Sequence, residues 1–357
     1  IVTPIYPPDI GGPASYVSQL IKQLPQEIQS TVISFGDISK KTNKLMLILR
    51  NQSFWNRQWQ LFKTICKQAK SCDCVYVQGT LTVGFATMLA CWLNRKSYVL
   101  KYVGDEVWEF YRCKNGDIGI EEFLVKKPLY YFFMFLLQKL VLANAKRIIV
   151  PSQSLSKILT MAYGLSNVTV IENAIKPEPI KMIKKPYSAV FVGRLVNWKH
   201  IDEIIKAIIF LRQNSNKPWQ LTIIGGGKEE ISLKKNVTEN KAESYIHFVG
   251  SLSPRKTAAI MGKSEYLILY SSYEGLSHVL LEGMLYHNKI IASDITANRS
   301  VLHNGNFGIL VPLHAPARLA KSFQIPYPKS KLDDARKYVL ENYSWDKKIK
   351  KLLKICS

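Results

Sequence analysis

Residues 266–283, YLILYSSYEGLSHVLLEG, are the stretch of this 357-residue chain whose reading decides the fold. The apolar and aromatic run 266–270 has the length of a buried strand. A turn with Ser271, Ser272 and Gly275 follows, and from Ser277, a residue suited to cap a helix, the chain continues as the apolar run VLLEGML. Strand, glycine turn and helix in that order make the first two-thirds of a β-α-β unit, which requires a parallel sheet.

The same rhythm extends in both directions. β-branched runs bounded by turn residues predict strands near 1–5, 31–35, 75–78, 98–103, 147–150 and 168–171, then near 189–192, 221–224, 247–249, 289–292 and 309–311. Residues 176–187, KPEPIKMIKKPY, hold three prolines and four lysines and continue neither element. They are read as a linker between an N-terminal domain, 1–175, and a C-terminal domain, 188–330, with a last helix near 331–355, in the segment 331–357, packing back across the domains. The expected class is α/β, with two Rossmann-like doubly wound domains facing across a cleft. Ligands of such sheets bind beyond the carboxyl ends of the strands.

Composition narrows the partners. The net charge is +23, spread over both halves, and attracts anions in general: nucleic acid, acidic headgroups or phosphorylated small substrates. Cys66, Cys72, Cys74, Cys91, Cys113 and Cys356 form neither C-x-x-C pairs nor a Cys/His zinc pattern, so reduced thiols of a cytoplasmic protein are expected. Residues 128–142, PLYYFFMFLLQKLVL, are too short to span a bilayer, which takes about 20 apolar residues. Two readings stay open for them. One is a helix buried under the sheet; the other is a helix lying on a membrane, with Lys126, Lys127, Lys139, Lys146 and Arg147 near anionic headgroups.

Four constellations carry chemistry. In VGRLVNWK, 192–199, a strand ends in a glycine turn and delivers Arg194 and Lys199, a forked donor and a point charge that suit a diphosphate. The bland reading is a solvated basic pair. In YEGLSHVLLEG, 273–283, Glu274 lies in the strand-end loop, Gly275 permits close backbone approach, and Ser277 caps a helix start facing an anion. Glu282, in an apolar run where an unpaired charge is costly, is placed to accept from ribose hydroxyls, and Glu274 from sugar hydroxyls. His278 is read as a structural helix residue. PPDIGGP, 7–13, brings Gly11 and Gly12 to a strand-to-helix turn, while IGGGK, 224–228, lacks the spacing of a P-loop. In KYVGDEVW, 101–108, Asp105 is the polar group at a strand end and suits a helix cap.

Residues 192–207, 223–227, 274–282 and the Gly11-Gly12 loop occur in the order seen in family 4 glycosyltransferases, retaining enzymes of the GT-B fold, and resemble them over nearly the whole chain. Glu274 and Glu282 match the E-x7-E motif of that family, and PSQSLSKIL, 151–159, followed by Asn173, looks like its interdomain segment. The resemblance implies that Arg194 and Lys199 neutralise a leaving diphosphate, assisted by amides of Gly275, Leu276, Ser277 and the Gly11-Gly12 loop. It also implies that Glu282 holds the ribose and Glu274 the transferred sugar, with no metal and no cofactor beyond the nucleoside-diphosphate sugar. The acceptor expected is a glycan or lipid-linked sugar, and the protein is expected to touch the anionic inner face of a membrane. Relatives place a His where this chain has the segment around Asp105, so the resemblance implies that Asp105 is the acceptor or sugar contact there, with the helix cap as the alternative. An epimerase or hydrolase on the same fold lacks a use for the E-x7-E pair, and no zinc, RRM-like or helix-turn-helix signature supports nucleic acid as a partner. An oxidoreductase would need the dinucleotide fingerprint, which is missing.

Overall fold

The computed structural model describes residues 1–9, 11–115, 118–126 and 128–356. Lys127, one of the basic residues expected near headgroups, lies outside them, as does the side chain of Cys113. The chain divides into two units, Ile1–Asn173 with Trp345–Ser357, and Ala174–Ser344.

In the first unit the strands are β1 (Val32–Gly36), β2 (Lys40–Lys41), β3 (Leu45–Leu49), β4 (Val75–Gln78), β5 (Tyr98–Lys101), β6 (Arg147–Val150) and β7 (Val168–Val170). β1 and β3 pair in parallel, and so do β4 with β5, β5 with β6 and β6 with β7. The expected first strand is reduced to Val2, which bridges Ile33 on one side and Val77 on the other and so joins the two strand groups. The chain therefore winds outward from Val2 in both directions, as a doubly wound sheet does. Its helices are α1 (Gly12–Gln23), α2 (Phe54–Ala69), α3 (Gly84–Leu93), α4 (Glu106–Asn115), α5 (Ile120–Lys126), α6 (Phe132–Ala143) and α7 (Gln153–Tyr163).

The second unit holds β8 (Lys185–Val192), β9 (Gln220–Ile224), β10 (Ile246–Phe248), β11 (Ser264–Leu269), β12 (Lys289–Ser293) and β13 (Ile309–Val311). They form one sheet in the order β10-β9-β8-β11-β12-β13, every neighbouring pair parallel. Strands with no solvated face need near-continuous apolar runs, and Val190, Phe191, Leu221, Ile223, Leu267, Ile268, Ile290 and Ile291 supply them. Helices α8 (Ile201–Asn214), α9 (Glu230–Glu239), α10 (Pro254–Lys263), α11 (His278–Leu285), α12 (Thr296–Val301), α13 (Pro316–Ser322) and α14 (Lys329–Asn342) complete the unit. The strand order reverses between β8 and β11, so the crevice of this sheet opens beyond Val192 and Leu269.

The single last helix expected near 331–355 is two, α14 and α15 (Trp345–Cys356). The carbonyl of Tyr343 accepts from the amide of Ile175 at 2.9 Å instead of continuing the helix ladder. α15 returns to the first unit, where it packs on α1, with Trp345 5.6 Å from Tyr16 and Lys348 2.7 Å from Glu172.

Neither open reading of 128–142 holds by itself, because the segment has two faces. Tyr131, Phe135, Gln138, Val141 and Leu142 are buried, with Phe135 stacked 4.6 Å from Tyr163. Leu129, Tyr130 and Phe133 are 89, 83 and 74% exposed. α3 packs between α2 and α6, and both neighbours of this face add bare aromatics: Trp55 and Trp59 on α2, Trp92 on α3. Among the described residues no helix is long and apolar enough to cross a membrane.

Candidate active site

Three loops of the second unit, far apart in sequence, are joined by backbone hydrogen bonds beyond the carboxyl ends of β8, β9 and β11. The amides of Gly193 and Leu195 donate to the carbonyls of Ile224 and Gly226, each at 3.0 Å, and the amide of Ser272 donates to the carbonyl of Trp198 at 2.9 Å. The glycines of 225–227 are thus a seat for the Arg194 loop. Trp198, 4% exposed, anchors the loop in the core, and the exposed Arg194 guanidinium lies 5.6 Å from its ring centroid.

Lys199 Nζ donates to Glu274 Oε1, and the two side chains are only 12 and 13% exposed. The cation expected on a diphosphate and the carboxylate expected on a sugar therefore meet each other. The pairing is what lets each charge sit in a poorly solvated recess, since a lone buried ion is heavily penalised. Arriving phosphate oxygens would find the ammonium already oriented.

Ser277 occupies the position before α11, but its hydroxyl does not cap the helix as expected. It donates instead to Asn298 Oδ1 at 2.8 Å, and the Asn298 amide group donates onward to Ser293. The reason is burial: Ser277 and Asn298 are both closed off from water and satisfy each other. The amides of Leu276 and Ser277 make no hydrogen bond among the described residues, which leaves them available to an anion at the helix start.

Glu282 lies in α11 among buried Leu280, Leu281, Met284 and Leu285, and its carboxyl has no hydrogen-bond partner among the described residues. Burial raises its pKa from 4.5 to about 7. A raised carboxyl pKa gives stability that is fully present below about pH 4.5 and is lost as the pH climbs through about 7. Compared with Glu282→Gln, wild-type stability is expected to fall between pH 5 and 8, by about 1–3 kcal/mol. Thermal melts of both proteins across that range measure it; parallel profiles would mean that Glu282 titrates normally.

In the first unit, Gly11 precedes α1, Gly12 opens it, and a side chain at Gly12 would enter open space. Asp9 of the same loop pairs with Arg50. Of the two readings of Asp105, the structure shows the helix cap. Fully buried, Asp105 caps α4 by accepting from the amide of Trp108 at 2.9 Å, and it also accepts from Gln138 Nε2 at 2.8 Å and from the hydroxyls of Tyr102 and Tyr163. Three of the four donors converge on Oδ2 and the cap takes Oδ1, so the network holds Asp105 as a positioning residue beneath the strand end. The polar break at Gln138 in the aromatic stretch is explained by this network.

Two groups were not anticipated. Glu106 accepts from the amides of Leu81 and Thr82, each at 3.0 Å, and from that of Thr80, and so fixes the loop after β4. Lys101, 1% exposed at the end of β5, has no hydrogen-bond partner among the described residues; its ammonium lies 3.9 Å from the Tyr16 ring centroid, and burial lowers its pKa to about 7. A lysine inside the apolar run YVLKYV was the signal for it.

The family described as Glycosyl transferases group 1 matches residues 173–325. An uncharacterized glycosyltransferase of Methanocaldococcus jannaschii is 27% identical over 64% of this chain, and the match spans 63% of that relative. A second from the same organism is 23% identical over 96% of this chain and 93% of its own length. Among solved structures, sucrose-phosphate synthase from Thermosynechococcus elongatus superposes with a TM-score of 0.76 at 16% identity, covering 97% of this chain and 92% of that one. HepE from Anabaena, in complex with UDP and glucose, gives 0.74 at 16% identity, covering 99 and 98%. Residues 173–325 are thus a domain of the group 1 glycosyltransferase type, a transferase domain, and the α/β architecture is the GT-B fold.

Proposed function

We propose that this chain is a retaining, metal-independent glycosyltransferase of family 4 that moves a sugar from a nucleoside-diphosphate sugar to a glycan or lipid-linked acceptor. The observation that carries the reading is the Lys199–Glu274 pair at the strand reversal, with Arg194 in the same loop system and two unbonded amides at the start of α11. As the glycosidic bond to phosphate breaks, negative charge grows on the diphosphate. Lys199, Arg194 and the amides of Leu276 and Ser277 are fixed beforehand where that charge develops. Glu274 holds Lys199 in place and offers its second oxygen to the sugar, while Glu282 accepts from the ribose. Same-face attack with the leaving phosphate helping to deprotonate the acceptor accounts for retention. The UDP and glucose bound by the Anabaena protein make UDP-sugars the first donors to try.

The test is a donor panel scored by released nucleoside diphosphate, with and without candidate acceptors, in buffer containing EDTA. Diphosphate release that depends on an acceptor and survives chelation is expected. Release without any acceptor would favour a hydrolase. Activity lost on chelation and restored by magnesium or manganese would overturn metal independence.

On the acceptor side, the bare aromatics of α2, α3 and α6 lie among exposed Lys63, Lys67, Arg95 and Lys139. Apolar side chains ringed by basic ones suit an anionic bilayer, each basic residue near the surface contributing about 1 kcal/mol. Sedimentation with liposomes should be strong for anionic lipid, weak for neutral lipid and reduced by salt. Because Tyr131 and Phe135 belong to the core, the informative variant is Trp92→Ser with Phe133→Ser, which should lose binding and keep its fold. Indifference of the wild type to anionic liposomes would point to a soluble acceptor and an apolar face with another use.

A further inference from the structure

His200, Glu203 and His314 converge in the second unit at a place the glycosyl-transfer reading does not use. One potential ligand atom from each lies within 4.8 Å of the others. Nδ1 of His314 is 3.1 Å and Nδ1 of His200 is 3.5 Å from Glu203 Oε1, and the two imidazole rings stand at 87° with centroids 5.0 Å apart. We propose that these three side chains form a binding site for a divalent transition metal of the zinc type, which clasps the loop after β13 to the first turn of α8.

The donor set and its dimensions fit. Two imidazoles and one carboxylate are ligands that zinc takes readily. A tetrahedral ion with bonds of about 2.0–2.1 Å has ligand atoms about 3.3 Å apart, and the two nitrogen-to-oxygen separations bracket that figure. The fourth position stays open to water, because the His314 side chain is 71% exposed and lies on the solvent side of the trio.

A purely hydrogen-bonded clasp accounts for less. Both imidazoles address the same oxygen of Glu203, and the other oxygen, Oε2, is buried with no hydrogen-bond partner among the described residues, although Glu203 is only 8% exposed. A cation between the three groups would balance the charge of this buried carboxylate. The nearby charges are already engaged: Lys206 lies 3.2 Å from Asp202, and Lys199 is paired with Glu274.

The supporting shell is also built. The Tyr270 hydroxyl donates to the carbonyl of Pro312 and accepts from the amide of Ala315 at 3.1 Å, which fixes the loop on both sides of His314. Such outer contacts orient metal ligands before the ion arrives. The site is therefore a structural clasp in the wall of the unit, and it stands or falls apart from the donor reading.

The experiment uses the full chain stripped of metal and then titrated with Zn²⁺ or Co²⁺, with the unfolding midpoint and the visible Co²⁺ spectrum as readouts. At about a hundredfold excess over Kd, Zn²⁺ should raise the midpoint by about 5–10 °C. Co²⁺ should give the strong visible bands of a four-coordinate site without a thiolate charge-transfer band. His314→Asn removes the imidazole while tolerating the left-handed backbone at this residue, φ 55°, and should lose both signals. Glu203→Gln should lose them without altering the loop. No shift and no bands in the wild type, an undiminished shift in His314→Asn, or a thiolate band assigning the metal to cysteines would each overturn the proposal. Turnover is not among the readouts, so failure here leaves the transferase reading untouched.

Discussion

Alanine at Arg194 or at Lys199 is expected to lower turnover at least about tenfold, and as much as 10³-fold, because each removes a charge-assisted bond to the diphosphate as it leaves. The two variants should differ in stability. Arg194 is exposed and lies over the Trp198 ring, so its loss should cost less than about 1 kcal/mol. Lys199 neutralises a carboxylate that is only 13% exposed, and its removal strands that charge. A penalty on the order of 3 kcal/mol is expected for breaking a pair so poorly solvated. Adding Glu274→Gln to Lys199→Ala should restore most of the stability while restoring none of the rate. Steady-state release of nucleoside diphosphate, measured beside thermal melts, separates the two effects. Near wild-type turnover in both single variants would remove the proposed donor site.

The fold was legible because parallel strands buried on both faces must be written as continuous apolar runs, and those runs stand out at 189–192, 221–224 and 266–270. β3 escaped notice although its sequence, LMLIL, is as apolar, because Leu and Met favour helices as readily as strands and no glycine turn frames it. The residues proposed for the donor stand out for a related reason: cations and carboxylates at strand ends have few structural uses. Their partnerships were not. Nothing local in the sequence ties Lys199 to Glu274, or turns the Ser277 hydroxyl toward Asn298, since both depend on which loops the sheet order brings together. Asp105 shows the opposite difficulty. Its position after a strand suits a ligand contact and a helix cap equally, and only the arrival of Gln138, Tyr102 and Tyr163 decides for the cap.

The glycine run 225–227 supports the most drastic structural prediction. Its sequence lacks the spacing of a P-loop, and the atoms that come close to it are the protein's own. A Cβ on Gly225 would lie 1.8 Å from the carbonyl oxygen of Gly193, and the residue holds φ at +135°, which side chains rarely tolerate. A Cβ on Gly227 would lie 2.3 Å from the carbonyl oxygen of Leu195. Gly226 between them meets nothing nearer than 3.7 Å. Gly225→Ala is therefore expected to destabilise the second unit by more than about 4 kcal/mol, since both the backbone conformation and the space refuse the methyl group. Whatever still folds should be inactive, because relief of the clash moves Gly193 and with it Arg194. Gly226→Ala should cost less than about 1 kcal/mol and leave KM for the donor unchanged. Denaturant melts and donor kinetics on the two variants decide between the two roles for the run. If Gly226→Ala raised KM sharply while Gly225→Ala folded normally, the run would be a phosphate contact and not the seat of the Arg194 loop.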